Sequence, residues 1–298
     1  MAYNDNSCVA NLEVTGLSGC VDDLGYDAML LWTAADYEID TEANSKLQAT
    51  YQDDIDAKNI YPMPIFDEVE NTVEDTVKQD LPSGVSLVVR EGKYGGKGKF
   101  QGALCNLPNL RTFNEVSGRA FIVTSNGKIW GTSSDGVKFK GFLLSEFHFS
   151  MLKGTDGTSV RWVELDYQFK NTTEMADYPA VPYITSWDPL SALVGLYPTT
   201  LTVTSSATAS VVCTVAKDCD GDAVEDLVIG DFTILDGESA EYADGGSVAE
   251  SPAGTYTFTF TGEDVLSADD YTINLNTAAV QTTGGYEPGT ADSFTISE

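Results

Sequence analysis

Three aspartates in one turn are the side chains of this sequence that most resemble metal ligands. Asp218, Asp220 and Asp222 alternate within the stretch DCDGDAVED. A calcium loop of the EF-hand type has glycine at its sixth position and glutamate at its twelfth. Counted from Asp218, those positions hold Ala223 and Ile229. The pattern therefore predicts a solvated acidic turn, and the three aspartates remain the candidates for a loosely bound ion.

No arrangement of residues typical of catalysis is visible. The single histidine, His148, lies between Phe147 and Phe149 in a stretch that alternates like a strand, which favours a surface or structural role. The sequence has no GxSxG motif for a nucleophilic serine. With 46 acidic residues, pairs of carboxylates are too common to indicate a glycosidase. We therefore predict a protein that is not an enzyme and that needs no cofactor.

The five cysteines are few for this length and form no CxxC pair. A zinc site of cysteine and histidine is disfavoured because the chain has only one histidine. The composition favours reduced, buried thiols. Cys213 and Cys219 flank a predicted turn, so this pair can form a disulfide if the protein meets an oxidant.

One cluster of positive charge interrupts the acidic chain, in and just before the stretch EGKYGGKGKF at residues 91–100. The stretch does not match the phosphate-binding GxxxxGK[ST] motif, since no serine or threonine follows a Gly-Lys pair. Its glycines predict a flexible hairpin tip that contacts an acidic neighbour, and an ordinary solvated loop is the alternative.

An aromatic segment punctuated by proline, residues 171–196, is predicted to be an extended linker or arm because proline disfavours both helices and central strands. Together with the basic cluster it supplies the candidates for contacts between subunits. These candidates are Arg90, Lys93, Lys97, Lys99, Tyr178, Tyr183 and Trp187.

The charge balance limits the kinds of partner. Sixteen basic residues against 46 acidic residues give a formal net charge of −30. Such a chain repels nucleic acid and anionic membranes. No apolar run approaches the ~18 residues of a transmembrane helix. The first residues show neither the basic nor the apolar region of a secretory signal, so we expect folding in a cytoplasm.

The elements that must position these residues fall into two predicted domains, residues 1–194 and 195–298. In the first, residues 118–167 indicate an antiparallel meander whose strands are joined by Asn-Gly and Asp-Gly turns. Within residues 137–151 the alternation places Phe139, Leu143, Phe147 and Phe149 on one face.

One helix is predicted over residues 40–58, from the spacing of Leu47, Tyr51 and Ile55. Residues 65–79 are rich in valine and threonine and favour a strand or an extended arm. Residues 85–90 are predicted to be a strand. The fold class expected for this domain is a mainly β, antiparallel β-sandwich or barrel-like domain with one helix.

The composition changes after Pro198, because 15 of the 16 basic residues precede it. Six short strands are predicted beyond it, over residues 200–204, 210–216, 228–235, 254–261, 270–276 and 293–297. This spacing is typical of a β-sandwich. The stretches VCTVAKDCDGDAVEDLVIGDFTI, SPAGTYTFTF and SADDYTINL resemble those of bacterial immunoglobulin-like domains, a likeness that implies a fold and no particular function.

A β-meander domain with one helix, a long loop and an arm, followed by an immunoglobulin-like domain, resembles the major tail (tail tube) proteins of tailed bacteriophages. The stretch GRAFIVTSNGKIWGTSSDGVKFKGF and the closing Trp187-Asp188-Pro189-Leu190 carry this resemblance. It implies a virion structural protein of the tail, assembled in the host cytoplasm. It further implies hexameric rings of this one chain that stack into a tube and pass DNA without binding it.

The resemblance also implies other virion proteins as partners, and an outward-facing immunoglobulin-like domain that weakly contacts host-surface glycans. Two alternatives stay open at the level of sequence. One is another virion component, such as a capsid protein, a decoration protein or a tail terminator. The other is a carbohydrate-binding surface adhesin.

Overall fold

The computed structural model describes residues 25–83, 85–101, 106–154, 161–170, 172–182, 184, 186–193, 195–219, 221–236, 247–261, 266, 270–276, 286–289 and 291–296. The chain divides into two compact units, Met1–Gly195 and Leu196–Glu298. Both are built mainly from antiparallel strands, so the predicted mainly β class is confirmed. Among the described residues no helix is long and apolar enough to span a membrane.

The first unit contains a nine-stranded sheet and a separate two-stranded one. Its strands are β1 (Asp27–Ala34), β2 (Ile60–Pro62), β3 (Glu68–Val73), β4 (Val77–Asp80), β5 (Ser86–Arg90), β6 (Tyr94–Phe100), β7 (Gly118–Thr124), β8 (Ile129–Thr132), β9 (Phe142–Phe149), β10 (Val163–Phe169) and β11 (Pro179–Ala180). The large sheet runs β11-β8-β7-β9-β10-β6-β3, and β1 joins β7 to β2.

Strand β7 holds the large sheet together. It pairs with β1 along its length, and on its other side with β8 at one end and β9 at the other. Because β9 continues onto β10, the sheet changes layer here, and the two layers enclose one core. Leu30 and Ile122 come from one layer, and Phe149, Leu165 and Phe169 from the other. The antiparallel strands predicted within residues 118–167 are confirmed, but they do not form a simple meander, because β9 pairs with β7 and not with β8.

A β-bulge changes the predicted face assignment within β9. The register with β10 shifts after Leu144, which pairs with Phe169, while Glu146 pairs with Gln168. Leu144 and Phe147 are therefore both buried, and Leu143 is not. The prediction that placed Leu143 on the face of Phe147 is wrong, because one extra residue reverses the alternation on one side of a bulge.

The predicted helix over residues 40–58 is shorter than expected. A 3-10 turn, Asn44–Lys46, is followed by an extended Leu47 and then by α1 (Gln48–Asp56). Tyr51 and Ile55 are buried as predicted, whereas Leu47 is exposed. The hydroxyl of Thr41 accepts a hydrogen bond from the Asn44 amide and so caps the first turn only.

The other short helices of this unit are α2 (Leu107–Leu110), α3 (Thr172–Ala176) and α4 (Pro189–Ala192). The last two correct the prediction that residues 171–196 form an extended linker or arm. Between them, β11 pairs with β8 as an edge strand, and Val181 and Leu193 are buried. The prolines here are placed at a sheet edge and at a helix start, where a missing N–H costs little.

The second unit is a β-sandwich, as predicted. Its strands are β12 (Tyr197–Ala207), β13 (Ser210–Lys217), β14 (Phe232–Asp236), β15 (Ser247–Glu250), β16 (Thr255–Thr259), β17 (Asp270–Leu275), β18 (Tyr286–Pro288) and β19 (Asp292–Thr295). One sheet has the order β15-β16-β13-β12-β18 and the other β14-β17-β19. Val211, Val215, Ile234 and Ile273 belong to the core between them.

The prediction of reduced, buried thiols is confirmed for Cys213 and wrong for Cys219. Cys213 is a free thiol buried in the core of the second unit, and burial raises its pKa to about 12. Cys219 is disulfide-bonded, so it does not pair with Cys213 and is not a reduced thiol. Cys8, Cys20 and Cys105 lie outside the described residues.

Candidate assembly surface

A long β-ribbon, residues 68–100, is the feature of the first unit that most resembles a binding element. Its proximal half is the β3–β6 pair, which runs from Glu68 opposite Lys99 to Val73 opposite Tyr94. Its distal half is the β4–β5 pair, which forms a two-stranded sheet of its own. We call the distal half, Val77 to Arg90, the distal hairpin.

A tight crossing joins the two halves. The Glu74 amide donates to the Lys93 carbonyl at 2.9 Å. A Cβ on Gly92 would overlap the Glu74 carbonyl oxygen, so only glycine allows this approach. The Glu74 carboxylate pairs with Arg90 at 2.9 Å and accepts a hydrogen bond from Gln168 of β10 at 3.1 Å. These contacts fix the base of the distal hairpin to the large sheet.

Every described residue of the distal hairpin is exposed except Leu81, which is half-buried, although many of its side chains are apolar. Every residue of β4 and β5 is exposed. Six large apolar side chains in or beside it are 44–65% exposed. They are Val73, Val77, Val85, Leu87, Val88 and Val89. An exposed apolar patch of this kind marks a surface that binds protein, and a long exposed strand pair offers unpaired edges as well.

An open pocket lies at the base of the distal hairpin. It has a volume of about 540 Å³, within the range of ligand sites. Its apolar walls are Val73, Val88, Tyr94, Trp130 and Met175. The Tyr94 and Trp130 rings of this wall pack edge to face at 5.9 Å. We call it the base pocket.

The basic stretch predicted to be a loop is strand β6, in the interior of the large sheet. Its alternate residues Tyr94 and Phe100 enter the core, and the glycines between them leave room for neighbouring rings. A Cβ on Gly96 would lie 2.5 Å from the Tyr167 hydroxyl oxygen. The prediction of a flexible tip over residues 91–100 is therefore wrong, because these glycines make space for aromatic side chains and do not make a turn.

The lysines of β6 lie on the opposite, outer face, between acidic residues of the adjoining strands. Lys97 forms an ion pair with Asp166 at 3.0 Å, and Lys99 one with Glu68 at 2.9 Å. These hydrogen bonds raise the pKa of both lysines. Lys93, the residue just before β6, donates to the side chain of Gln168 at 3.2 Å. All three therefore have partners within their own chain.

The aromatic candidates for subunit contacts separate into three cases. Trp187 donates to the Lys46 carbonyl at 2.9 Å, and its ring lies 5.7 Å from that of Tyr51, so it anchors the proline-rich segment on α1. The ring of Tyr178 is exposed. Tyr183 lies outside the described residues.

The aspartate candidates for a metal site do not form a described cluster. Asp220 lies outside the described residues, and the Asp218 carboxylate accepts a hydrogen bond from Thr200. Among the residues described, no group of three or more histidine, cysteine or acidic side chains is arranged to hold a metal ion. The single histidine, His148, is exposed on the outer face of β9, opposite Asp166 of β10.

One buried carboxylate was missed by the sequence reading. Asp27 is 3% exposed and accepts hydrogen bonds from the hydroxyls of Tyr167 at 2.6 Å and Tyr94 at 3.0 Å. Burial raises its pKa above the ordinary value of 3.8, and the two tyrosines partly oppose that shift. The group links β1 to β6 and β10 across the core, which is a structural role. No signal in the sequence distinguishes it from the other acidic residues.

Comparisons with known proteins add no assignment. No protein-family model matches the chain, and no curated protein is similar to it in sequence.

Proposed function

We propose that this chain is a non-enzymatic structural protein that builds an assembly from many copies of itself. The exposed apolar distal hairpin is the observation that carries the proposal. An isolated two-stranded ribbon is marginally stable in water, and here most of its apolar side chains contact solvent. A hairpin of this kind is stabilised when another protein surface covers it.

The charge distribution favours a second copy as the covering surface. Residues 77–90 contain Lys78, Arg90 and Asp80, which gives a net charge of +1. The rest of the chain then carries −31, since the whole carries −30. Two copies repel each other over most of their surfaces. The distal hairpin is an element that approaches an acidic body without that repulsion.

The form of assembly we propose is the tail tube of a bacteriophage, with rings that stack and a channel that passes DNA. The resemblance to major tail proteins and the two-unit, mainly β architecture support it. In that setting the high negative charge prevents DNA from adhering to the channel, because like charges release no counterions on contact. The immunoglobulin-like unit is an outward accessory. The proposed location is the virion.

Electron microscopy of the purified full chain over a range of concentrations tests the proposal. We expect rings or tubes from the wild type, and single particles from the double variant Leu87→Asp/Val89→Asp. The matched control is Leu47→Asp/Met151→Asp, which adds the same charge at two other exposed apolar residues of the same unit. Single particles from the wild type at every concentration, or unchanged assembly of the hairpin variant, would overturn the proposal.

A further inference from the structure

We infer that Gln168 is a positioning residue that fixes the direction in which the distal hairpin leaves the large sheet. Its side-chain amide projects from β10 and contacts both chain segments that lead into the hairpin. We call the contacts of Gln168 with Glu74 and Lys93 the amide clamp. The inference rests on the proposed self-assembly, because a fixed direction lets every copy present its hairpin in the same way.

The ribbon is interrupted between its two halves. Residues 74–76 separate β3 from β4, and residues 91–93 separate β5 from β6. Neither segment belongs to a strand, and the two halves of the ribbon lie in separate sheets. A backbone hydrogen bond from the Glu74 amide to the Lys93 carbonyl crosses the interruption at 2.9 Å. Because the strand ladder is broken here, the distal hairpin can turn relative to the large sheet unless side chains hold it.

In the part of the chain that the structure describes, apolar packing does little to hold the distal hairpin. Every residue of β4 and β5 is exposed, and the base pocket of about 540 Å³ lies beside them. The pocket has Lys78 and Val88 on its hairpin side and Trp130 and Met175 on the opposite side. This open space leaves the hairpin room to turn about the interruption.

The amide clamp holds both sides of the interruption. The Gln168 amide nitrogen donates to the Glu74 carboxylate at 3.1 Å. The Gln168 amide oxygen accepts a hydrogen bond from the Lys93 ammonium at 3.2 Å. The Ser145 hydroxyl lies 3.3 Å from the same oxygen and supports this orientation of the amide. Glu74 also pairs with Arg90 at 2.9 Å, so the contacts continue into β5.

An amide suits this position better than a charged side chain. It presents one donor group and one acceptor atom at the same time. A carboxylate at residue 168 would accept from Lys93 but repel Glu74, and an ammonium would do the reverse. Hydrogen bonds to charged groups are stronger than those between neutral groups. The Gln168 side chain therefore joins one segment of each charge to the large sheet.

A fixed hairpin direction favours assembly. Association costs free energy for each flexible element that it immobilises. A hairpin that the amide clamp already holds loses little further freedom when a second copy covers it. Loss of the clamp should therefore raise the concentration needed for assembly about three- to tenfold.

Nitrogen-15 relaxation of the hairpin amides tests the inference in the full chain. All samples carry Leu87→Asp/Val89→Asp, so that they remain single particles during the measurement. We expect order parameters of about 0.85 when Gln168 is intact, and of about 0.6 or lower with Gln168→Met, which keeps the side-chain length and removes both polar atoms. Gln101→Met, at an exposed residue just beyond the other end of β6, is the matched control and should change nothing.

An exchange of the two groups supplies a second readout. Gln168→Glu places two carboxylates side by side and should loosen the hairpin as Gln168→Met does. Adding Glu74→Gln restores a donor that faces an acceptor, and Lys93 still has its partner. With residues 87 and 89 native, this double variant should assemble within about twofold of the wild-type concentration, whereas two independent losses of stability would add. Far-ultraviolet circular dichroism establishes that each variant is folded.

The outcomes separate the two proposals. Unchanged order parameters in Gln168→Met and Gln168→Glu overturn the inference, and so does a double variant whose hairpin is as loose as that of Gln168→Glu. A looser hairpin with an unchanged assembly concentration also overturns the inference and leaves self-assembly standing. A wild type that never assembles overturns the proposed function, while the order parameters still decide whether the amide clamp holds the hairpin.

Discussion

The substitution Gly98→Ala tests why a glycine-rich, basic stretch forms an interior strand. A Cβ at this position would lie 2.6 Å from the Phe66 ring carbon Cζ, against the roughly 3.5–4.0 Å of an ordinary contact between carbon atoms. The ring has to move by about 1 Å, yet it is 5% exposed and stacks on Tyr167 at 6.2 Å.

The expected cost follows from two opposing effects. Overpacking of a filled core costs about 1–3 kcal/mol. Replacing glycine by alanine in a strand recovers about 0.5–1 kcal/mol of chain entropy. We therefore expect Gly98→Ala to lower the free energy of unfolding by about 1–2 kcal/mol. Gly154→Ala is the control, because a Cβ there meets nothing within 4 Å.

A double-mutant cycle with Phe66→Ala makes the explanation specific. Removal of the ring costs about 3–5 kcal/mol by itself and leaves space for a methyl group at residue 98. In that background Gly98→Ala should be neutral or stabilising, which gives a coupling energy of about 1–3 kcal/mol. Urea unfolding followed by tryptophan fluorescence reports on the first unit alone, because all four tryptophans precede residue 196. An equal cost of Gly98→Ala in both backgrounds would refute the reasoning.

Three further predictions concern groups inside the two units. Asp27 has a raised pKa in the folded protein, so its ionisation favours the unfolded state. The stability of the wild type relative to Asp27→Asn should therefore be greatest below pH 3.8 and fall as the pH rises through the raised pKa of the folded protein. A difference in urea unfolding that does not depend on pH would contradict this. Glu174 accepts hydrogen bonds from Arg119 at 3.2 Å and from the Leu143 amide at 3.0 Å. Glu174→Ala should therefore lower the free energy of unfolding by about 2 kcal/mol and speed proteolysis near residue 178. Unchanged cleavage would be the contrary result. Tyr256→Phe removes a buried hydroxyl that donates to the Val224 carbonyl at 2.6 Å. The free energy of unfolding should fall by about 1–3 kcal/mol, and amide hydrogen exchange in β13 should become faster. Unaltered exchange in β13 would argue against this.

The elements that could be predicted from the sequence are those in which the alternation of apolar residues and the positions of the turn motifs indicate the same strands. The antiparallel strands β7 to β10 of the first unit and the sandwich of the second combine alternating apolar residues with Asn-Gly, Asp-Gly or proline-containing turns. The order of β7 to β10 in the sheet was not predicted, because β9 pairs with β7 and not with its neighbour in sequence, β8. Strand β6 was not predicted because its inward-facing positions include Gly96 and Gly98, and glycine in a sequence usually indicates a turn. The alternation was nevertheless present, since Tyr94 and Phe100 share the parity of those glycines and Lys97 has the other.

Other differences arise from tertiary context. The helix over residues 40–58 is interrupted at Leu47, where the spacing alone indicates continuity. The bulge in β9 follows from its pairing with β10, a partner that no local pattern identifies. Residues 85–90 were correctly predicted to be a strand, yet every residue of β5 is exposed although three of its five side chains are large and apolar. The exposure of this strand, and with it the candidate assembly surface, could be recognised only in the structure.

The pairing of β12 with β18 has a mechanical consequence for the second unit. The two strands are parallel, from Tyr197 beside Tyr286 to Thr199 beside Pro288, with one near the start of the unit and the other near its end. Tension that pulls these two ends apart acts along the strands and loads their hydrogen bonds in shear, all at once. The antiparallel β12–β13 hairpin, pulled from its open end, would instead unzip one bond at a time. The unit is thus suited to bear a pulling force transmitted along its own chain.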